Sequence, residues 1–330
     1  MRYTLARQAW ARARREGAIA TQGIRSTGGH LGVGGVRVGV CTDAAARTGV
    51  TVVLLPEECR GAVDVAGGAP ATRETDALRP DNLVPGPDAV VLTGGSAPGL
   101  AAADGVVAHL ARSGIGFPAG GRRIPIVVAA AIFDLAVGKD RSPGAEDGAA
   151  AARAALDDRV PEGAFGAGTG ATVGKMVPGQ STPSGQGAVT LATPDGQHVA
   201  ALAVVNAVGA VLAEDGSVLA GPVDREGRPL DPLQPLAFGP RPEPGRQTTL
   251  AVVVTDALLD KAQLQRVARM AHDGMARAIE PVHTLWDGDV VVALATGAWA
   301  TGDPSRTGAL AAHAVAQAIR RAVRAARAEP

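Results

Sequence analysis

Aromatic side chains are nearly missing from this sequence. The 330-residue chain has three Trp, one Tyr and four Phe. That scarcity points away from a ligand cage built of rings. The interior must instead be filled by small aliphatic groups. Apolar residues make up 46% of the chain, and 44 glycines permit close backbone approach. Cysteine is equally scarce. Cys41 and Cys59 form no C-x-x-C pair, and two cysteines make no disulfide framework. That usage fits a reducing compartment, and a cytoplasmic protein is expected. Net charge is missing too, since 32 basic residues balance 32 acidic ones. A broad footprint for nucleic acid or an anionic membrane is therefore not expected. No run approaches the roughly 18 apolar residues of a membrane span. The basic start, MRYTLARQAWARARREG, lacks a following apolar stretch, so it reads as a solvated helix or frayed end and not as a secretory signal.

What is present alternates between strands and helices. VRVGV (Val36–Val40) and VTVVLL (Val50–Leu55) are short β-branched runs. Ala89–Arg112 reads as strand, Gly-rich turn and helix, with Leu100, Ala103, Val107 and Leu110 at helical spacing. Arg123–Leu135 is a second apolar run, and 138–160 reads as loop plus helix. Two hairpins follow, turning at Pro194-Asp195-Gly196 and at Asp215-Gly216. Gly221–Gln247 holds seven prolines without periodicity and reads as an exposed connector. Thr249–Thr255 and Val290–Thr296 read as strands. Helices are expected over Lys261–Ile279, with a stripe of Leu264, Val267, Ala268, Ala271 and Met275, and over Ser305–Arg327. Mixed elements with hairpins predict an α+β protein; its length allows one large domain or two ordinary ones.

Familiar nucleotide motifs fail on inspection. Gly166, Gly168 and Ala171 match a dinucleotide-type spacing, but no convincing strand precedes them. TGATVGKM has Thr169 where a P-loop begins with Gly, and Met176 where Ser or Thr would meet Mg²⁺. Around Ser96, Pro98 replaces the second Gly of a nucleophile elbow. The six histidines (His30, His109, His198, His272, His283 and His313) show no metal-ligand spacing and read as surface or packing residues. No cofactor and no metal are expected, and a catalytic base must come from elsewhere.

The junction GRQTTLAVVVTD (Gly245–Asp256) offers one. Thr favours strands, so Thr248 and Thr249 have an ordinary structural reading. A hydroxyl becomes a nucleophile only when something takes its proton. Cleavage before Thr248 would place an α-amine, of ordinary pKa about 7.7–8.0, on the residue that carries the hydroxyl. Such a group is a suitable general base near neutral pH.

Six ordered blocks complete the picture: VLTGGSAPGLAAADGV, GIGFPAGGRRIPIV, GATVGK, VVNAVGAV, TTLAVVVTDA and PVHTLWDGDVVVALATG. Together they resemble the self-cleaving family of L-aminopeptidase/D-esterases, β-peptidyl aminopeptidases and 6-aminohexanoate-oligomer (nylon-oligomer) endohydrolases, from about Gly34 to the C-terminus. The resemblance implies an αββα sandwich like that of N-terminal-nucleophile hydrolases. It implies one hydrolase domain over 1–330, cut into 1–247 and 248–330 with both pieces retained. It further implies a small amide or peptide substrate and a homo-oligomer. Carried over by position, Thr248 is the nucleophile and new N-terminus, Lys175 lies beside its hydroxyl, Asn206 donates to the oxyanion, and Asp287 and Asp289 hold the amine.

Two positions depart from the family pattern. Gln247 stands where members commonly carry Asn or Gly, which tolerate a positive φ more readily. Slow or incomplete self-cleavage follows if the cut needs such strain, and this keeps a rival reading open: an uncleaved, silent binding module. An acyltransferase on a similar fold is a further alternative. Phe133 stands where some members carry Tyr, and a Phe ring donates no hydrogen bond.

Overall fold

The computed structural model describes residues 23–177, 180–224, 226–238 and 245–328. The basic stretch 1–17 and part of the proline-rich connector lie outside them. Eleven strands build the two principal sheets: β1 (Arg25–Gly28), β2 (Arg37–Asp43), β3 (Thr48–Leu54), β4 (Arg60–Val65), β5 (Thr72–Arg73), β6 (Ala89–Thr93), β7 (Val127–Ala131), β8 (Gln186–Ala192), β9 (His198–Asn206), β10 (Thr248–Ala257) and β11 (Val290–Trp299). Four helices cover them: α1 (Ala102–Arg112), α2 (Ala145–Ala154), α3 (Lys261–Ala276) and α4 (Pro304–Ala328).

The strand order is β1-β8-β9-β10-β11-β4 in one sheet and β2-β3-β6-β7-β5 in the other. Pairing is antiparallel except at β10–β11 and β6–β7. Parallel neighbours need a crossover, and each such pair brackets a helix, α3 and α1 respectively. Both hairpins expected from the sequence form, β8–β9 and the smaller Ala210–Leu212/Val218–Ala220 pair.

The period of two along each strand sorts side chains between layers. On β9, Ala200, Leu202 and Val204 face the other sheet, while Ala201, Ala203 and Val205 face α3 and α4. On β10, Leu250, Val252 and Val254 join the inter-sheet core, and Ala251 and Val253 the helix side. In the second sheet, Val53, Val90, Leu92 and Val128 point inward, and Val50, Val52, Val91 and Ala129 point to α1 and α2. Three apolar layers between four layers of structure make an αββα sandwich. Alanine and glycine let the outer helices pack closely. A Cβ on Gly274 of α3 would lie 2.1 Å from the Ala312 carbonyl of α4. The start of α3 is fixed by a capping box, in which Asp260 accepts from the Gln263 amide at 2.8 Å and Gln263 Oε1 accepts from the Asp260 amide at 2.9 Å.

Candidate active site

Strand direction gathers the candidate residues at one end of the central sheet. Thr248 opens β10. Because β9 runs antiparallel to it, Asn206, the last residue of β9, pairs with Thr248. Because β11 runs parallel, both strands start at the same end, and Gln247 bridges to Asp287. Lys175 follows the short strand Thr172–Val173, and Asp134 follows β7 from the other sheet. Thr248, Asn206, Asp287 and Asp289 are buried.

The peptide before Thr248 is held on both sides. The Thr248 hydroxyl donates to the Gln247 carbonyl oxygen at 2.5 Å, and the Gly288 amide donates to the same oxygen at 2.9 Å. Position 288 has no room for a side chain: a Cβ there would lie 2.6 Å from the Ala69 carbonyl and 2.9 Å from Thr248 Oγ1. Asn206 Oδ1 accepts from the Thr172 amide at 3.1 Å and from Lys175 Nζ at 2.5 Å. Its Nδ2 donates to the carbonyls of Phe133 at 3.0 Å and Arg246 at 3.3 Å. Lys175 Nζ also donates to the carbonyls of Asn206 at 2.8 Å and Arg246 at 3.3 Å.

Two expected contacts therefore take another form. Lys175 is bonded to the residue facing Thr248 across the sheet, while the Thr248 hydroxyl is turned onto its own preceding carbonyl. The Asn206 amide reaches the Arg246 carbonyl, one residue short of the peptide at issue. The segment entering β10 occupies that side of the site, so both side chains bind its backbone.

The carboxylates support the same junction. Asp289 Oδ1 accepts from the Thr249 amide at 2.6 Å. Asp287 Oδ1 accepts from the Val208 amide at 3.2 Å, and its Oδ2 from the Thr284 hydroxyl at 2.6 Å and amide at 3.1 Å. Burial, and Asp289 beside it, raise the Asp287 carboxyl above the ordinary range. Burial also pulls the Lys175 ammonium down to about 7, against the opposing attraction of Asp287 and Asp134. Asp134 is raised by its own burial, although Gly95 donates its amide to Oδ1 at 2.7 Å.

The structure corrects one sequence expectation and bears on a second. His283 is not a simple packing residue: its Nδ1 lies 2.8 Å from Asp289 Oδ2. No metal-type spacing could reveal it; the signal available was its place six residues before Asp289 in HTLWDGD. Gln247 is not among the residues with positive φ. Its backbone suits any residue, so the missing Asn or Gly imposes no left-handed strain here. Phe133 contributes its backbone carbonyl to Asn206, and its ring lies under the Arg246 guanidinium at 5.4 Å. Among the described residues no cluster of three or more His, Cys, Asp or Glu is arranged to hold a metal ion, and no helix is long and apolar enough to cross a membrane.

Residues 31–329 match the model of a family described as Peptidase family S58. An uncharacterized aminopeptidase of Mycobacterium leprae is 46% identical over 263 residues, covering 76% of this chain and 71% of that protein. A 6-aminohexanoate-oligomer endohydrolase of Agromyces sp. is 31% identical over 290 residues, covering 83% of this chain and 77% of the other. Among solved structures, a Burkholderia sp. beta-aminopeptidase superposes with a TM-score of 0.67 at 25% identity, over 94% of this chain and 91% of that one. The L-aminopeptidase D-Ala-esterase/amidase of Ochrobactrum anthropi, described as a variant of the Ntn hydrolase fold, gives a TM-score of 0.67 at 20% identity, over 95% of this chain and 90% of that one.

Proposed function

This chain belongs to peptidase family S58, and from that membership we propose that it is an amide hydrolase that cuts itself before Thr248 and then works through Thr248 as an N-terminal nucleophile. The observation that carries this reading is the pairing of the Gln247 carbonyl with the Thr248 hydroxyl and the Gly288 amide. A carbonyl polarised by a fixed backbone donor, with a hydroxyl against it, is prepared for attack.

In the first reaction Thr248 Oγ1 bonds to the Gln247 carbonyl carbon. As the hydroxyl turns from its own carbonyl oxygen toward Nζ, its proton passes to Lys175, whose amine is neutral above about 7. The Gly288 amide stabilises the oxyanion. The carbon–nitrogen bond to Thr248 breaks, the proton returns to that nitrogen, and an ester links Gln247 to Thr248. Water hydrolyses the ester, leaving a carboxylate on Gln247 and a free amine on Thr248.

Departure of the 1–247 terminus frees Asn206 Nδ2 and Lys175 Nζ from the Arg246 carbonyl. Both then serve a substrate carbonyl, with Asn206 as oxyanion donor. The new amine takes the Thr248 proton as the hydroxyl attacks, and Asp287 and Asp289 hold that amine. An acyl-Thr248 intermediate and its hydrolysis complete the cycle. The two pieces stay together, because β10 from 248–330 is paired with β9 from 1–247 along Val199–Asn206. Substrates are small amides or peptides; the named relatives make 6-aminohexanoate oligomers and β-peptides the first probes. Thr248→Ala tests the reading. The variant stays one chain and is inactive, whereas cleavage or turnover by it would refute the assignment.

A further inference from the structure

His283 is built into the support of Asp289. It is a non-glycine residue at φ 57°, a conformation that persists only when its surroundings hold it. In that conformation its amide donates to Asp289 Oδ2 at 3.1 Å, and its ring Nδ1 lies 2.8 Å from the same oxygen. The Asp289 side chain is 0% exposed. A buried carboxylate needs donors, and Asp289 has three: the Thr249 amide on Oδ1, and two groups of His283 on Oδ2. An ionised carboxylate only accepts, so Nδ1 carries the hydrogen.

Behind it the His272 ring meets the His283 ring edge-on, with centroids 4.7 Å apart and an 82° interplanar angle. His272 Nε2 lies 3.2 Å from the Asp64 carbonyl oxygen and 3.6 Å from its carboxylate. The row Asp64, His272, His283 and Asp289 thus ends on the amide that follows Thr248. The titratable groups facing the His283 ring are Asp289, Asp287 and His272, with Asp64 and its partner Arg269 one step further out. Burial alone would lower the His283 imidazole, and the Asp289 contacts overcome that and raise it.

We propose that His283 is a positioning residue: by clamping Asp289 Oδ2 through its Nδ1–H, it aims Oδ1 at the Thr249 amide and so fixes where Thr248 stands against the Gln247 carbonyl. The proposal rests on Thr248 being the nucleophile and adds a residue to that mechanism. His283 does not touch the reacting atoms. Its effect passes through Asp289, and a small misplacement of a reacting group costs rate steeply.

The test compares His283→Gly and His283→Asn in the purified full chain. Gly keeps the left-handed backbone and its amide but removes the ring. Asn also tolerates that backbone and restores a side-chain N–H near the position of Nδ1. The readout is the first-order appearance of fragment 248–330 at pH 8, with the thermal midpoint measured alongside. The expected result is release slowed by about tenfold to a hundredfold in His283→Gly, with most of the rate recovered in His283→Asn. A ring that merely fills space would not be rescued by Asn. Equal slowing in both variants, or wild-type release in His283→Gly, overturns the proposal. Thr248→Ala run in parallel separates the two ideas. If it stays whole while His283→Gly cuts normally, only the His283 role fails. If it also cuts, or if the wild-type chain never cuts, the nucleophile reading fails and this proposal with it.

Discussion

The Gly288 amide and the Gln247 carbonyl are joined by a 2.9 Å hydrogen bond across the parallel pairing that starts β10 and β11. The bond depends on a bare α-carbon, because a Cβ at 288 would press on both Ala69 and Thr248 Oγ1. Gly288→Ala is therefore expected to displace the donor and slow self-cleavage by about a hundredfold, the scale of losing one oxyanion donor. Following the two fragments by denaturing gel over time checks this.

Self-cleavage should be faster in mild base. The base form of Lys175 predominates above about 7, whereas an ordinary lysine would stay charged to about 10.5. The rate constant is expected to rise with pH through the neighbourhood of 7 and then level. Lys175→Met should remove that rise and leave the chain whole for days. A wild-type profile flat from pH 5 to 9 would remove Lys175 as the proton acceptor.

The inter-sheet core should dominate stability. Leu202 is fully buried between the sheets at the middle of β9. Leu202→Ala removes those atoms and leaves a cavity, so unfolding free energy should fall by about 2–5 kcal/mol in urea titration.

The elements were largely legible in the sequence because local patterns determine them. The stripe Leu264, Val267, Ala268, Ala271 and Met275 is wholly buried on α3. That helix ends at Ala276 and not Ile279, and the turn at Pro194-Asp195-Gly196 joins β8 to β9. The αββα arrangement came from the six-block resemblance, since no local pattern dictates how two sheets stack. At the site, the same resemblance points to Thr248, Asn206, Lys175, Asp287 and Asp289, and the fold brings them to one end of the sheet. Their contacts were not legible. Asn206 and Lys175 bind Arg246, a residue 40 positions or more away in each case, because strand pairing brings those segments together. Gly288 contributes a backbone amide, which no residue type advertises. His283 depends on a left-handed backbone that nothing in its side chain requires.

The most direct test is the intact mass of the purified protein under denaturing conditions. The whole chain is 33.0 kDa. Cleavage before Thr248 predicts two species of roughly 25 and 8 kDa in proportion to length, the smaller beginning at Thr248. A single 33.0 kDa species that persists through long incubation at neutral and mildly basic pH would contradict the account.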